Sequence, residues 1–290
     1  MISYQQYINE NNINVNKLNY SIFDFDDNIL HLNTVIHYQK KINGKWINID
    51  LSTEQFARLK EQCKKNNENY WDTDTLRCDF NNAFLEFRDI GPRGNNAFLN
   101  DVKESIRDKK YGPSWNNFIK TLVNGNLFGI VTTRGHEPDT IRKVVEYIIY
   151  NVLNDNQQDI MLKNLMKYHD KFKTNTDFDY LIDSYLNNCY FIGIMSQYFE
   201  NNFKSTKNAT ESKRIAVDYI VNELKKYQNK ISVPMKIGFS DDDSTYYNEI
   251  KNLFLSYNEP LDNIDFYVFN TSNPQIKGGK KTRIRNQNLN

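Results

Sequence analysis

Strand-sized apolar runs separated by helix-length stretches constrain this chain more than any other feature. They lie at residues 20–23, 127–132, 190–196, 234–240 and 264–270. Between the later runs, apolar residues recur at helical spacing over 141–153, 157–168, 178–187, 211–227 and 246–257. Strands joined by crossovers of that length pair in parallel, and a parallel sheet needs helices over both faces. The expectation is therefore an α/β fold, a Rossmann-like parallel sheet with helices on both faces. Ligands in such sheets sit at the carboxyl ends of the strands. A chain of 290 residues is long enough to bury the core this requires.

The first and second runs are far apart, and the segment between them, 30–126, reads as an insertion. Residues 34–50 alternate and contain Asn43-Gly44, a hairpin turn in which both central positions tolerate positive φ. Ser52 with Gln55 forms a capping box that opens a helix over 52–65. Residues 66–80 are polar and irregular, DIGPRG (89–94) and YGPS (111–114) are loops, and helices are expected between those loops and over 114–124. The expected division is a discontinuous core of 1–29 and 127–276, an inserted cap of 30–126, and a tail, KGGKKTRIRNQNLN, over 277–290. That basic tail is low in apolar content and is expected to be disordered. Residues 1–19 are polar, a short helix or a loose arm.

Charge narrows the function classes. Lys plus Arg is 37 and Asp plus Glu is 36, which excludes a globally basic nucleic-acid binder and a strongly acidic protein. No apolar run approaches the roughly 20 residues that span a bilayer, and the N-terminus has neither the basic start nor the apolar centre of a signal peptide. Three distant cysteines, Cys63, Cys78 and Cys189, exclude a disulfide framework and any CxxC metal site. A soluble cytoplasmic protein is expected, with no membrane association and no obligatory protein partner. Asn, Lys, Ile, Tyr and Phe are frequent, a bias of AT-rich coding that carries no chemistry.

Three of the five strands end in polar groups of a consistent kind. The first gives Asp24, Asp26 and Asp27, the second Thr132, Thr133 and Arg134, and the fourth Ser240, Asp241, Asp242 and Asp243. In a parallel sheet all three ends share one edge. Asp24 and Asp26, two apart on an extended segment, point to one side, and their repulsion should raise one carboxyl pKa. One could then act as an ionised nucleophile and the other as a protonated acid. Asp241 or Asp242 adds more negative charge than a buried edge can hold, which calls for a hard dication such as Mg²⁺ with oxygen ligands. Carboxylates, Mg²⁺ and a hydroxyl donor together suit a phosphoryl group, whose charge must be neutralised in the transition state.

These residues resemble a known family. The stretch IFDFDDNIL (22–30) is similar to the first motif, hhDxDx(T/V)L, of the haloacid dehalogenase-like hydrolase superfamily. IVTTRG (130–135) resembles its second motif, Lys213 at a helix start its third, and IGFSDDD (237–243) its fourth. The resemblance implies that Asp24 attacks phosphorus to form an aspartyl-phosphate, and that Asp26 protonates the leaving oxygen and then activates water. It implies that Thr132, with Thr133 beside it, and Lys213 bind the phosphate. Mg²⁺ would be held by Asp24, Asp241 and Asp242 with the backbone carbonyl of Asp26. Asn28 departs from the usual Thr or Val, Lys204 and Lys207 compete with Lys213, and the triplet 241–243 leaves the metal-facing carboxylate open. The insertion occupies the place of that family's cap. The substrate would be a small-molecule or nucleic-acid phosphoester, unidentified by any motif in the cap.

Other readings compete. DxDxN at 24–28 also opens an EF-hand, but Ile29 and Val35 occupy the positions that need Gly and Glu. A DxD glycosyltransferase using a nucleotide-sugar explains Asp24 and Asp26 but not the other strand ends. A non-catalytic binding protein of the same fold would be expected to have lost Asp24 or Asp26. Arg88 and Arg93 would either read a second anionic group or form loop salt bridges, the commoner outcome. His31 and His136 would either touch substrate or be partly exposed and locally satisfied, the commoner outcome. Trp46, Trp71 and Trp115 are expected to pack rather than stack on bases. The cations Lys277, Lys280, Lys281, Arg283 and Arg285 would either touch nucleic-acid or membrane phosphate or lie in a solvated tail, again the commoner outcome.

Overall fold

The computed structural model describes residues 18–168, 177–203, 206, 208–231, 234–257, 263–273, 275–276 and 278–284. Its strands are β1 (Leu18–Phe23), β2 (Ile36–Ile42), β3 (Lys45–Leu51), β4 (Leu76–Arg77), β5 (Phe128–Thr132), β6 (Tyr190–Gly193), β7 (Met235–Asp241), β8 (Ile264–Asn270) and β9 (Lys280–Ile284). Its helices are α1 (Thr53–Asn66), α2 (Phe80–Ala83), α3 (Ala97–Arg107), α4 (Trp115–Val123), α5 (Pro138–Asn151), α6 (Asp155–Tyr168), α7 (Phe178–Leu186), α8 (Gln197–Asn202), α9 (Ala209–Ile231) and α10 (Ser244–Ser256). A 3₁₀ turn covers Leu85–Phe87.

The main sheet runs β6-β5-β1-β7-β8-β9. All its pairings are parallel except β8 with β9. This is the α/β, Rossmann-like arrangement expected from the alternation of strands and helices. Every residue of β5 is buried, as a strand covered on both faces must be. On one face Ile220 of α9 packs at Gly129, and the Phe254 ring of α10 stacks on Phe266. On the other, Phe118 of α4 meets Phe23 and Phe128 edge-on, both at 5.5 Å. Complete burial of such a side chain contributes roughly 1.5–3 kcal/mol.

The segment between β1 and β5 divides in two. Phe98 and Val102 of α3, and Trp115, Phe118 and Leu122 of α4, belong to the main core. Residues 36–87 form a second sheet, β3-β2-β4, around their own cluster of Ile36, Tyr38, Ala83 and Phe87. The independently packed part is thus shorter than the 30–126 insertion expected, because the apolar faces of α3 and α4 turn toward β1 and β5. Asn43 (φ 51°) and Gly44 (φ 78°) close the β2–β3 hairpin, with Ile42 opposite Lys45. The capping box of Ser52 and Gln55 is present at α1. Trp71 packs on the second cluster, Trp115 stacks on Tyr111 at 4.7 Å, and Trp46 lies beneath Arg77 at 4.3 Å.

The disordered tail expected over 277–290 is overturned over Lys280–Ile284, which forms β9 antiparallel to β8. Its alternation explains this. Thr282 meets the Tyr247 hydroxyl of α10 at 3.3 Å and Ile284 packs on the main core, while Lys281 and Arg283 face outward. A strand with one apolar stripe needs few apolar residues. Lys277 and Arg285 lie outside the described residues, as do residues 1–17. Among the described residues, no helix is long and apolar enough to cross a membrane.

Candidate functional site

The carboxyl ends of β1, β5 and β7 meet at one edge of the main sheet. Asp24 follows β1, Thr132 ends β5 and Asp241 ends β7. The backbone N–H of Asp24 donates to the Ser240 carbonyl at 3.0 Å, carrying the sheet one step beyond β1. Lys213, in the first turns of α9, is 1% exposed. Its ammonium donates to Asp24 Oδ1 at 2.7 Å and to Asp241 Oδ2 at 2.6 Å. The ring of Tyr246 covers that Nζ at 4.2 Å. Lys204 and Lys207 lie outside the described residues.

Asp242 joins the same group: carboxylate oxygens of Asp24, Asp241 and Asp242 all lie within 4.8 Å of one another. Asp243 is engaged elsewhere, capping α10 through the Thr245 N–H. One ammonium therefore faces three carboxylates. Burial pushes the Asp24 carboxyl well above the usual range, Asp241 and Asp26 add to this, and Lys213 opposes it. Burial likewise raises Asp241 against the pull of Lys213. Burial, then Asp24 and Asp241, push Asp242 up to about 9. Burial by itself would favour a neutral Lys213, but Asp24 and Asp241 outweigh it and hold the ammonium above its usual range. Convergent carboxylate oxygens with surplus negative charge are the donor set that suits a hard divalent cation. Asp24, Asp241 and Asp242 could hold such a cation.

Asp26 takes a different partner. Its carboxylate accepts from Arg134 Nε at 2.9 and 3.1 Å and from Nη2 at 2.7 Å. Thr132 Oγ1 also donates to it at 3.4 Å. Arg134 is 0% exposed and clamped between the rings of Phe87 (4.7 Å) and Phe98 (4.4 Å). Its Nη2 also donates to Thr34 Oγ1 at 2.7 Å, and Thr34 donates to Asp101 at 2.5 Å. Asp101 in turn accepts both Nη groups of Arg93, at 2.7 and 2.9 Å, while Arg93 Nε bonds Glu86. The guanidinium of Arg93 is therefore committed to these internal ion pairs. Arg88 Nε is buried without a partner. Thr133, half-buried, stands beside Thr132 with its side chain in none of these bonds.

Asn28 holds the edge together. Its Nδ2 donates to the Asp24 carbonyl (3.0 Å), the Ser240 carbonyl (3.2 Å) and Ser240 Oγ (3.0 Å). Its Oδ1 accepts from Ser114 and Thr271, both at 2.8 Å. Val would supply no polar group at this position, and Thr a single O–H donor in place of the two N–H donors of the Asn28 amide. The bond to the Asp24 carbonyl, four residues back, is one of five made by this side chain.

The two histidines differ. His31 is half-exposed and pairs with Asp27 at 2.8 Å. His136 corrects the expectation of partial exposure: it is 0% exposed, stacked on Phe98 at 4.9 Å, with no hydrogen-bond partner at either ring nitrogen. It lies in the turn after β5, which the β6 side covers at Gly193.

Arg134 is the site residue that sequence reasoning left without a role. Its position two residues beyond Thr132 was visible, but its function depends on Thr34 and Asp101, which only the fold brings near. No family model matches the chain, and no curated protein or solved structure matches it.

Proposed function

We propose that this chain is a Mg²⁺-dependent phosphoester hydrolase of the haloacid dehalogenase-like type. One observation carries the reading: Lys213 bridges Asp24 and Asp241 at 2.7 and 2.6 Å, beside Asp242, at the carboxyl edge of a parallel sheet. An ammonium joining the two strand-end carboxylates is what a site for a phosphoryl group requires, because both nucleophile and phosphate are anionic. Asp24, Asp241 and Asp242 would hold the cation. When bound, it offsets the carboxylate excess and neutralises charge on the phosphoryl oxygens.

Asp24 attacks phosphorus through a carboxylate oxygen, and the ester oxygen leaves. Asp26, oriented by Arg134, delivers a proton to that oxygen and then receives one from the water that hydrolyses the aspartyl-phosphate. Lys213 keeps Asp24 positioned and balances phosphate charge, and Thr132 donates a hydroxyl hydrogen bond, with Thr133 available beside it. The small sheet of residues 36–87 acts as the cover, since Phe87 clamps Arg134. A DxD glycosyltransferase would leave Lys213 and Asp241 without a role.

The test is phosphate release from an aryl phosphate, with Mg²⁺ and with EDTA, by wild type and Asp24→Asn. Release that needs the metal and disappears in the variant supports the reading. Folded wild type that neither releases phosphate from a panel of esters nor binds Mg²⁺ with a phosphate analogue would overturn it in favour of a non-catalytic protein.

A further inference from the structure

Among the described residues, α4 covers its sheet face over β1 and β5, with Phe118 on Phe23 and Phe128. Beyond them, that face of β7, β8 and β9 carries Lys236, Gly238 and the buried Ser240, then half-buried Asp265, Tyr267 and Phe269, then exposed Lys281 and Arg283. The register lines these up in rows: Ser21, Gly238, Tyr267 and Arg283 in one, Phe23, Ser240, Phe269 and Lys281 in the next. The opposite face is closed, because Phe254 and Tyr257 stack on Phe266 and Tyr247 meets Thr282.

Between α4 and this half-open face lies a groove of about 300 Å³, lined by Asn19, Ser21, Asn117, Lys120, Asn124 and Phe269 among others, with no carboxylate in its wall. Gly238 makes room for the Phe269 ring, since a Cβ there would stand 3.1 Å from the ring edge. Lys281 Nζ lies 4.1 Å from the Tyr267 centroid and 5.7 Å from that of Phe269, and Lys236 lies 6.0 Å from Tyr267. Among the described residues, Lys120, Lys236 and Lys281 have no ion-pair partner. Asp265, the carboxylate that β8 carries on this face, is engaged by Arg283 at 2.5 Å.

We propose that this face binds single-stranded nucleic acid, with bases stacking on Phe269 and Tyr267 and backbone phosphates drawn by Lys120, Lys236 and Lys281. Half-exposed aromatic rings on an open sheet supply stacking platforms that accept any base. Unpaired lysines around them supply the charge complement of a phosphodiester backbone. The amides of Asn19, Asn117 and Asn124 offer both donors and acceptors to base edges. In a duplex the bases are closed to stacking on these rings. Chain that reads as a solvated basic tail thus contributes Lys281 to the binding face. The inference stands independently of the chemistry at Asp24.

The test is fluorescence anisotropy of the full chain with a labelled oligothymidylate of about ten nucleotides, long enough for one such platform. Saturable binding should weaken with salt at a log–log slope of about −2, as three phosphate contacts on a single strand give. A Lys120→Glu/Lys281→Glu variant, changed only at exposed positions, should melt like wild type and bind at least about tenfold more weakly. Phe269→Ala should bind about fivefold or more weakly, the smallest effect expected of one lost stacking partner. Any of three results overturns the proposal: no saturable binding, binding that the lysine variant leaves unchanged, or equal affinity for the matching duplex. Lysine-dependent binding to anionic vesicles with none to the oligonucleotide also overturns it.

Discussion

Replacing His136 by Phe should remove about 2 kcal/mol of acid sensitivity between pH 7 and pH 5, a magnitude that follows from proton linkage. The ring of His136 is fully buried against Phe98, and neither nitrogen has a partner. Burial, followed by the nearby guanidinium groups of Arg134 and Arg93, lowers its pKa to about 2. In the unfolded chain the same ring titrates near 6.5. The folded state therefore binds no proton between those values, whereas the unfolded state does. Stability from this group is fully present above about pH 6.5 and falls as the pH drops, by about 1.4 kcal/mol per unit. At pH 5 that integrates to about 2 kcal/mol relative to pH 7.

Phe keeps an aromatic ring on Phe98 and removes the titration. Urea unfolding of both proteins across this range measures the difference directly, because shifts from the carboxylates are common to both and cancel. At pH 7 the variant should be no less stable, since burying unpartnered polar atoms costs about 1–3 kcal/mol. Parallel pH profiles for wild type and variant would refute the reasoning, because they would mean that the folded protein accommodates the protonated ring.

Lys213→Met leaves Asp24 and Asp241 without their shared counter-ion, so metal-free protein should lose about 3–5 kcal/mol at pH 8. The loss should shrink at pH 5, where carboxyls raised by burial take up protons; denaturant unfolding in EDTA at both values checks this. Asn28→Ala strands the hydroxyls of Ser114 and Thr271 and should cost about 2–4 kcal/mol in a thermal melt. Ser52→Ala removes the α1 capping box and should cost about 1 kcal/mol, read as faster amide exchange in the first turn of that helix.

What the sequence made legible was whatever depends on local pattern. The apolar strands and their polar ends follow from short periodic runs, and the β2–β3 turn from Asn43-Gly44. Lys213 was singled out only by resemblance, since nothing in its helix distinguishes it from nearby lysines until the fold aims it at Asp24. Arg134 was illegible in a deeper sense. Its partners Asp26 and Thr34, and the Asp101 that holds Thr34, come from three separate segments, and the Phe87 and Phe98 rings that clamp it from two more. The strand at Lys280–Ile284 was missed because its only pattern is Thr282 and Ile284 among cations, which composition registers as basic and polar. His136 looked like any polar turn residue, and its burial is imposed by the β6 side of the sheet.

The Asn28 hub has a consequence for how the molecule comes into being. Its side-chain partners lie 86, 212 and 243 residues away along the chain. The central strand β1 likewise waits for β5 and β7, both distant in sequence. Contacts of such separation make folding slow, because long loops must close before pairing stabilises them. During synthesis, Asp24 emerges before Asp241 and Thr271 and stands without them until they have left the ribosome. A nascent chain halted short of β7 would carry the DxD carboxylates and the Lys213 ammonium but lack Asp241, and would have no site. The edge of the sheet can therefore close only after β7 and Thr271 have been made.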